Sequence, residues 1–387
     1  MTGRVSKLCL GVIPFILLIS CSSAPQKPGA AAYSAEVSKA LSGQDFLGHE
    51  VTPQELPDFD LFALTPEMKA FVERVVKRGD SLYDQVKALH YALLRSVAEG
   101  GRGIAYNAYY TEIPANTFDA RRANCLSFTL LYVALARHVG IDAQVNEVHI
   151  PPTWDYRSKN SMVFLRHVNV KVALRREPQH LLTSDNVIID LEMELYRPNY
   201  AQNVIADDLI AAQFYSNRAM EFVNENDFKS GFLYLRKALQ ENDRQSYIWN
   251  NLASLYKREN LLHEAEIIYL HGLEINPEDL TIMNNLAWLY DEMGNQKQAA
   301  MYTKLAQRYR ASNPYYQYTL ALNAFNSADN TNALAFIKRA LEREKRDARF
   351  YELAANIYTK LGNTSGAAEM TRKYQTITKT HPIQLSN

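Results

Sequence analysis

The sequence predicts an α+β domain followed by an all-α solenoid of helical hairpins, with an N-terminal leader and a tether in front of both. Three observations predict this. Helix-period apolar patterns between residues 46 and 140 give way to strand-like runs before residue 205, the order of an α+β domain. From about residue 212 to 379, small residues recur every 34 positions, a period that marks stacked two-helix units. The first 20 residues carry a basic start and an apolar core, the pattern of a targeting segment that takes no part in the fold.

In the leader, Arg4 and Lys7 precede an almost unbroken apolar stretch from Leu8 to Ile19, too short to span a bilayer comfortably. Its end, Leu18-Ile19-Ser20-Cys21, resembles the lipobox of bacterial lipoproteins. The resemblance implies cleavage before Cys21 and acyl chains on its thiol and amino group. Several chains anchor where one would be marginal. Ser22, which is not acidic, follows the cysteine, and the resemblance then implies an outer-membrane protein on the periplasmic side. Residues 21–45 read as the lipidated cysteine and a flexible tether, since Ser22 to Gly43 is rich in Ser, Ala, Gly and Pro. Lys and Arg total 42 against 42 for Asp and Glu, so no basic excess points to nucleic acid. With 387 residues, 47% of them hydrophobic, the chain can form more than one core.

The first domain, residues 46–205, opens with Thr65-Pro66-Glu67, an N-cap with proline at the first helical position. Apolar positions continue at Met68, Phe71, Val72, Val75 and Val76 up to Gly79. A second helix is expected from Asp80 to Gly100-Gly101, carrying Leu82, Val86, Leu89, Leu93 and Leu94, and a loop with short turns follows to Arg122. Asn124 then caps a helix from Cys125 to His138, which Gly140 terminates. Strand-like runs occupy Ala143 to Ile150, Val163 to Leu174 and Asn186 to Met193.

Of three cysteines, Cys9 lies in the leader and Cys21 ends it, so Cys125 is the only thiol of the folded part and a disulfide within it is excluded. Helix N-terminal amides favour an anion at Cys125, and Arg121 and Arg122 add positive charge. Such a nucleophile needs a base and a group that orients the base. His167 lies on an alternating strand, and Asp190 ends the apolar run Val187-Ile188-Ile189. If these strands are neighbours, imidazole and carboxylate share a face. Taken singly, Cys125 could be an inert half-buried thiol, His167 a strand histidine satisfied by backbone and Asp190 a loop cap; their order and the lone thiol favour a triad. His138, His149 and His180 are less suitable. No pair of histidines or cysteines has metal-site spacing, and no glycine-rich phosphate loop is present, so no cofactor or metal is expected.

Asn124-Cys125-Leu126-Ser127-Phe128, Ala136-Arg137-His138-Val139-Gly140-Ile141, the strand of His167 and Ile189-Asp190 together resemble the transglutaminase-like superfamily of papain-type folds over roughly Asp80 to Tyr200. The resemblance implies Cys125 as nucleophile, His167 as general base and acid, and Asp190 as the orienting carboxylate. The implied activity is attack on a peptide or protein amide through a thioester, ending in hydrolysis or acyl transfer. The alternative is a domain without turnover, serving as an envelope adaptor or scaffold.

Ala219, Ala253, Ala287, Ala321 and Ala355 form one column, and Gly231, Ala265, Ala299, Ala333 and Ala367 another, so helices can approach closely there. Phe222, Tyr256, Tyr290 and Tyr358 share a third column, with Ala324 as its exception. The 34-residue period is that of the tetratricopeptide repeat, and five repeats are expected over 212–379, then a tail, 380–387. Resemblance to peptide-binding members implies a concave groove lined by the first helix of each hairpin, here Asn250, Asn284, Trp288, Tyr318, Phe325 and Asn356, for a protein or peptide ligand. Trp288 and Phe325 could equally pack between hairpins.

Overall fold

In the computed structural model the described residues are 33–150, 153–155, 161–163, 166–174, 186–191, 200–378 and 383–385. The leader, Cys21, the tether up to Ala32 and His180 lie outside them. The remainder of the expected tether is helical: α1, Ala35–Ser42, is capped by the Ser34 side chain, and α2, Gln44–Leu47, follows Gly43. Composition misled here because these residues gain their order from a partner surface. Val37, Ala40 and Leu41 are buried. Tyr33 donates from its hydroxyl to Asp243 at 2.8 Å, the Tyr256 hydroxyl donates to the Ala40 carbonyl, and Phe46 stacks on Phe232 at 4.9 Å.

Helices α3 (Pro66–Val75) and α4 (Leu82–Leu94) come next, each started by a hydroxyl N-cap, Thr65 and Ser81. The two-residue strand β1, Ala105–Tyr106, is followed within the expected loop by a helix, α5, Pro114–Ala120, with proline at its first position. Arg121, in the left-handed region at φ +56°, turns the chain into β2, Arg122–Ala123, which pairs in parallel with β1. Helix α6, Cys125–His138, is buried along most of its length. Strands β3 (Ala143–His149), β4 (Thr153–Asp155), β5 (Ser161–Val163), β6 (Arg166–Ala173), β7 (Asn186–Ile189) and β8 (Gln202–Ile205) complete the domain. Of the expected strand from Val163 to Leu174, Val163 lies in β5 and Arg166–Ala173 form β6, with 164 and 165 outside the described residues.

Ten helices follow in five antiparallel pairs. They are α7 and α8 (Asp207–Asn224, Phe228–Glu241), α9 and α10 (Ser246–Arg258, Leu262–Ile275), α11 and α12 (Leu280–Glu292, Gln296–Ser312), α13 and α14 (Pro314–Asn326, Asn330–Arg343), and α15 and α16 (Ala348–Lys360, Thr364–Thr378). The small columns sit where paired helices touch: a Cβ built at Gly231 would come within 2.7 Å of the Val223 side chain. The expected tail is in part a strand, β9, Ile383–Leu385, which returns to the first domain. The main sheet has the order β8-β3-β6-β7-β9, antiparallel except for the last pair.

One apolar core runs from Val37 in α1 through α6 and the sheet to Ala306 in α12, while α13–α16 gather around a second, from Ala321 to Met370. The first hairpin is bolted to the first domain by polar contacts as well. Arg137 makes a two-point pair with Asp207 at 2.7 and 3.0 Å, and buried Gln213 donates to Glu147 at 2.7 Å. Among the described residues no helix is long and apolar enough to cross a membrane.

Candidate active site

Cys125 occupies the first position of α6, where amides lack intrahelical acceptors and the helix dipole is positive. Asn124 builds that end: its Oδ1 accepts from the Ser127 amide at 2.9 Å, and its Nδ2 donates to Thr111 Oγ1 at 2.8 Å. Ser127 accepts from the Glu112 amide at 2.8 Å and donates to the Tyr110 carbonyl at 3.1 Å, which holds the preceding loop against the helix. The same loop is tied to the first hairpin. Glu221 of α7 accepts from the Thr111 amide at 3.2 Å, and Arg218 links Glu221 at 2.6 Å to Glu112 at 3.6 Å. Arg122 lies over the Tyr110 ring at 4.9 Å.

Alternation along β6 sends Val168, Val170 and Val172 into the core and leaves His167 and Asn169 on the other face. Register aligns His167 with Val148 and Asn169 with Asn146 on β3. Asp190, the residue after β7, meets both: its Oδ2 accepts from His167 Nε2 at 2.5 Å and from Asn169 Nδ2 at 3.2 Å. Asn146 Nδ2 donates in turn to Asn169 Oδ1 at 2.8 Å and to Gln202 Oε1 of β8 at 3.0 Å. The sheet thus brings His167 and Asp190 together, and the half-buried Cys125 lies near enough to His167 to help raise its pKa. With Nε2 on the carboxylate, Nδ1 is the imidazole nitrogen left for sulfur.

The supporting residues Asn169, Asn146 and Gln202 escaped the sequence reading. A signal existed for the first: asparagine is depleted in strand interiors, and Asn169 stands two residues from His167, on its face. His138 instead lies 2.9 Å from Glu73, and exposed His149 is 2.8 Å from Asn203 Nδ2, so neither belongs to this cluster. Among the described residues no group of three His, Cys, Asp or Glu could hold a metal ion.

Burial pulls the His167 pKa down, but the hydrogen bonds to Asp190 and Cys125 and their negative charge outweigh it and raise the pKa from 6.5 to about 10. A folded-state pKa above the unfolded one gives stability that is complete below about 6.5, declines as pH rises, and is gone above about 10. The Tm difference between wild type and His167→Gln should therefore be largest near pH 6 and vanish above pH 10. A difference that grows with pH would reverse this assignment of charge.

Six residues of the expected groove all fall on the first helices of their hairpins. Trp288 is 65% exposed and Asn356 exposed, whereas Asn250 and Asn284 are half-buried and Asn250 Oδ1 accepts from Asn285 Nδ2 at 2.8 Å. Tyr318 and Phe325 are half-buried against the second core, Tyr318 stacked on Phe350 at 5.0 Å.

Comparison with known proteins finds two family matches. Residues 69–176, which include Cys125 and His167 and end before Asp190, match the transglutaminase-like superfamily, and residues 246–279, the second hairpin, match the tetratricopeptide repeat. A search of curated proteins finds no match. Among solved structures, BtubC (BKLC) from P. vanneervenii is 19% identical, with 44% of this chain and 82% of that one covered at a TM-score of 0.25. PilF of Pseudomonas aeruginosa is also 19% identical, with 44% and 77% covered at 0.25. YrrB, described as a TPR protein with an unusual peptide-binding site, is 19% identical, with 44% and 88% covered at 0.24. The chain therefore joins a domain of the transglutaminase-like superfamily to a helical solenoid that contains a tetratricopeptide repeat.

Proposed function

We propose that this protein is a lipid-anchored enzyme of the bacterial envelope, on the periplasmic side of the outer membrane, that performs acyl-group chemistry on peptide or protein amides while its repeats hold a protein or peptide. The observation that carries the reading is the contact chain from Cys125 through His167 to Asp190, begun at a helix N-terminus. Cys125 gives its thiol proton to His167, the sulfur attacks the amide carbonyl, and the helix N-terminal amide of Cys125 supports the developing oxyanion. His167 passes a proton to the departing amine, which leaves a thioester on Cys125. Water or a second amine then gives its proton to His167 and releases the acyl group. Asp190 keeps the imidazole oriented through both steps.

Iodoacetamide labelling of the folded protein followed by intact mass tests the reading. Cys125 should react, and His167→Ala should slow the reaction by at least about tenfold. Labelling that needs denaturation, or is indifferent to His167, refutes it. The anchor has its own test: Cys21→Ala should abolish incorporation of labelled palmitate, and unchanged incorporation removes the lipoprotein assignment.

A further inference from the structure

Strand β9 arrives from the far end of the chain and pairs in parallel with β7, Ile383 opposite Val187, Gln384 opposite Ile188 and Leu385 opposite Ile189. Without it, β7 would be the sheet edge, since β6 lies on its other side. Val187, Ile188 and Ile189 are all buried, and the next residue is Asp190. The strand that delivers the carboxylate to His167 is thus closed by three residue pairs, against seven between β3 and β6.

Helix α16 ends at Thr378, so the end of the last hairpin lies within about 18 Å of Ile383, the reach of five extended steps. Other contacts join this half of the solenoid to the first domain. Helix α13 packs against β4, and Arg349 of α15 lies over the Tyr200 ring at 5.0 Å. Helices α13–α16 have a core of their own, separate from the one that the first domain shares with the first three hairpins.

We propose that Ile383–Leu385 is a latch strand: its pairing with β7 holds Asp190 against His167 and couples the posture of the last repeats to the geometry of the triad. The proposal deepens the reading of Cys125, His167 and Asp190 as the reacting set and rests on it. The latch residues are positioning residues. A ligand that changes the curvature of the solenoid would act on the triad through them, with no contact to the reacting atoms.

In a parallel ladder successive residues point their N–H groups to opposite sides, so a double substitution, Ile383→Pro with Gln384→Pro, removes whichever donor faces β7. It is made in the full-length protein, with Gln384→Ala as the control that keeps the donor. A second variant ends the chain after Thr378. Three readouts are followed: amide exchange at residues 187–189, the downfield imidazole N–H resonance of His167, and the pH profile of Cys125 alkylation. Both latch variants should exchange faster at 187–189, lose the imidazole resonance, and alkylate at least about fivefold more slowly at pH 7, with the profile of Asp190→Asn. Gln384→Ala should match wild type. Faster exchange with an unchanged resonance and profile overturns the latch, as does unchanged alkylation in the shortened chain. A wild-type Cys125 that fails to alkylate overturns the triad reading itself, a different result from a reactive wild type whose latch variants behave like it.

Discussion

Asp190→Ala is expected to cost about 3–5 kcal/mol of stability and to slow Cys125 alkylation to the rate of His167→Ala. Asp190 is 1% exposed and His167 5%, so water cannot replace the lost carboxylate, and the imidazole would stay buried without its anion. Asn169, fully buried, loses its acceptor in the same step. Asp190→Asn separates the two consequences. The amide can still accept from Asn169, so much of the stability should return. The negative charge that favours a protonated His167 is gone, and reactivity should not return with it. Urea unfolding measures the first effect and alkylation rate the second. An alanine variant as reactive as wild type would remove Asp190 from the triad.

The parts of this site legible in the sequence are those fixed by short-range chemistry. Asn124 before Cys125 and Gly140 after His138 bracket α6 because capping needs only neighbouring residues. The 34-residue columns revealed the hairpins because each unit repeats the same close contact, as at Gly231 and Ala219. What escaped depends on distant partners. α1 offers only Val37, Ala40 and Leu41 as an apolar stripe, and its order comes from α10 and from Tyr256, whose hydroxyl donates to the Ala40 carbonyl. β9 is three residues long, and its partner lies almost 200 residues away, so nothing local marks it as a strand. α5 has no sequence signature of a helix because seven residues carry too little periodicity to stand out. The polar row from Asp190 to Gln202 crosses four strands, and only their register joins it.

Two tryptophans on successive first helices should respond oppositely to truncation. Trp249 is fully buried, its indole N–H donates to the Asp243 carbonyl at 2.7 Å, and its ring meets Tyr33 at 5.6 Å and His271 at 4.4 Å. Trp249→Ala should therefore cost about 3–5 kcal/mol of folding stability and loosen the N-terminal segment as well, because Tyr33 loses its packing partner. Trp288 is 65% exposed, and its removal should change stability by less than about 0.5 kcal/mol. In the proposed groove the same removal should weaken a bound peptide by about 2 kcal/mol, roughly thirtyfold, since an exposed indole gains most of its burial from the ligand. Urea unfolding of both variants, with titration of a peptide selected from a displayed library on the wild-type protein, measures the two effects separately. Tyr318→Ala and Phe325→Ala should destabilise the fold in the same direction as Trp249→Ala but by less, because both side chains are partly buried against the second core. If Trp288→Ala destabilised the fold as they do, the ring would be packing between hairpins and its place in the groove would be lost. If stability were untouched and the peptide still bound with wild-type affinity, the ligand would have to reach the solenoid by another face.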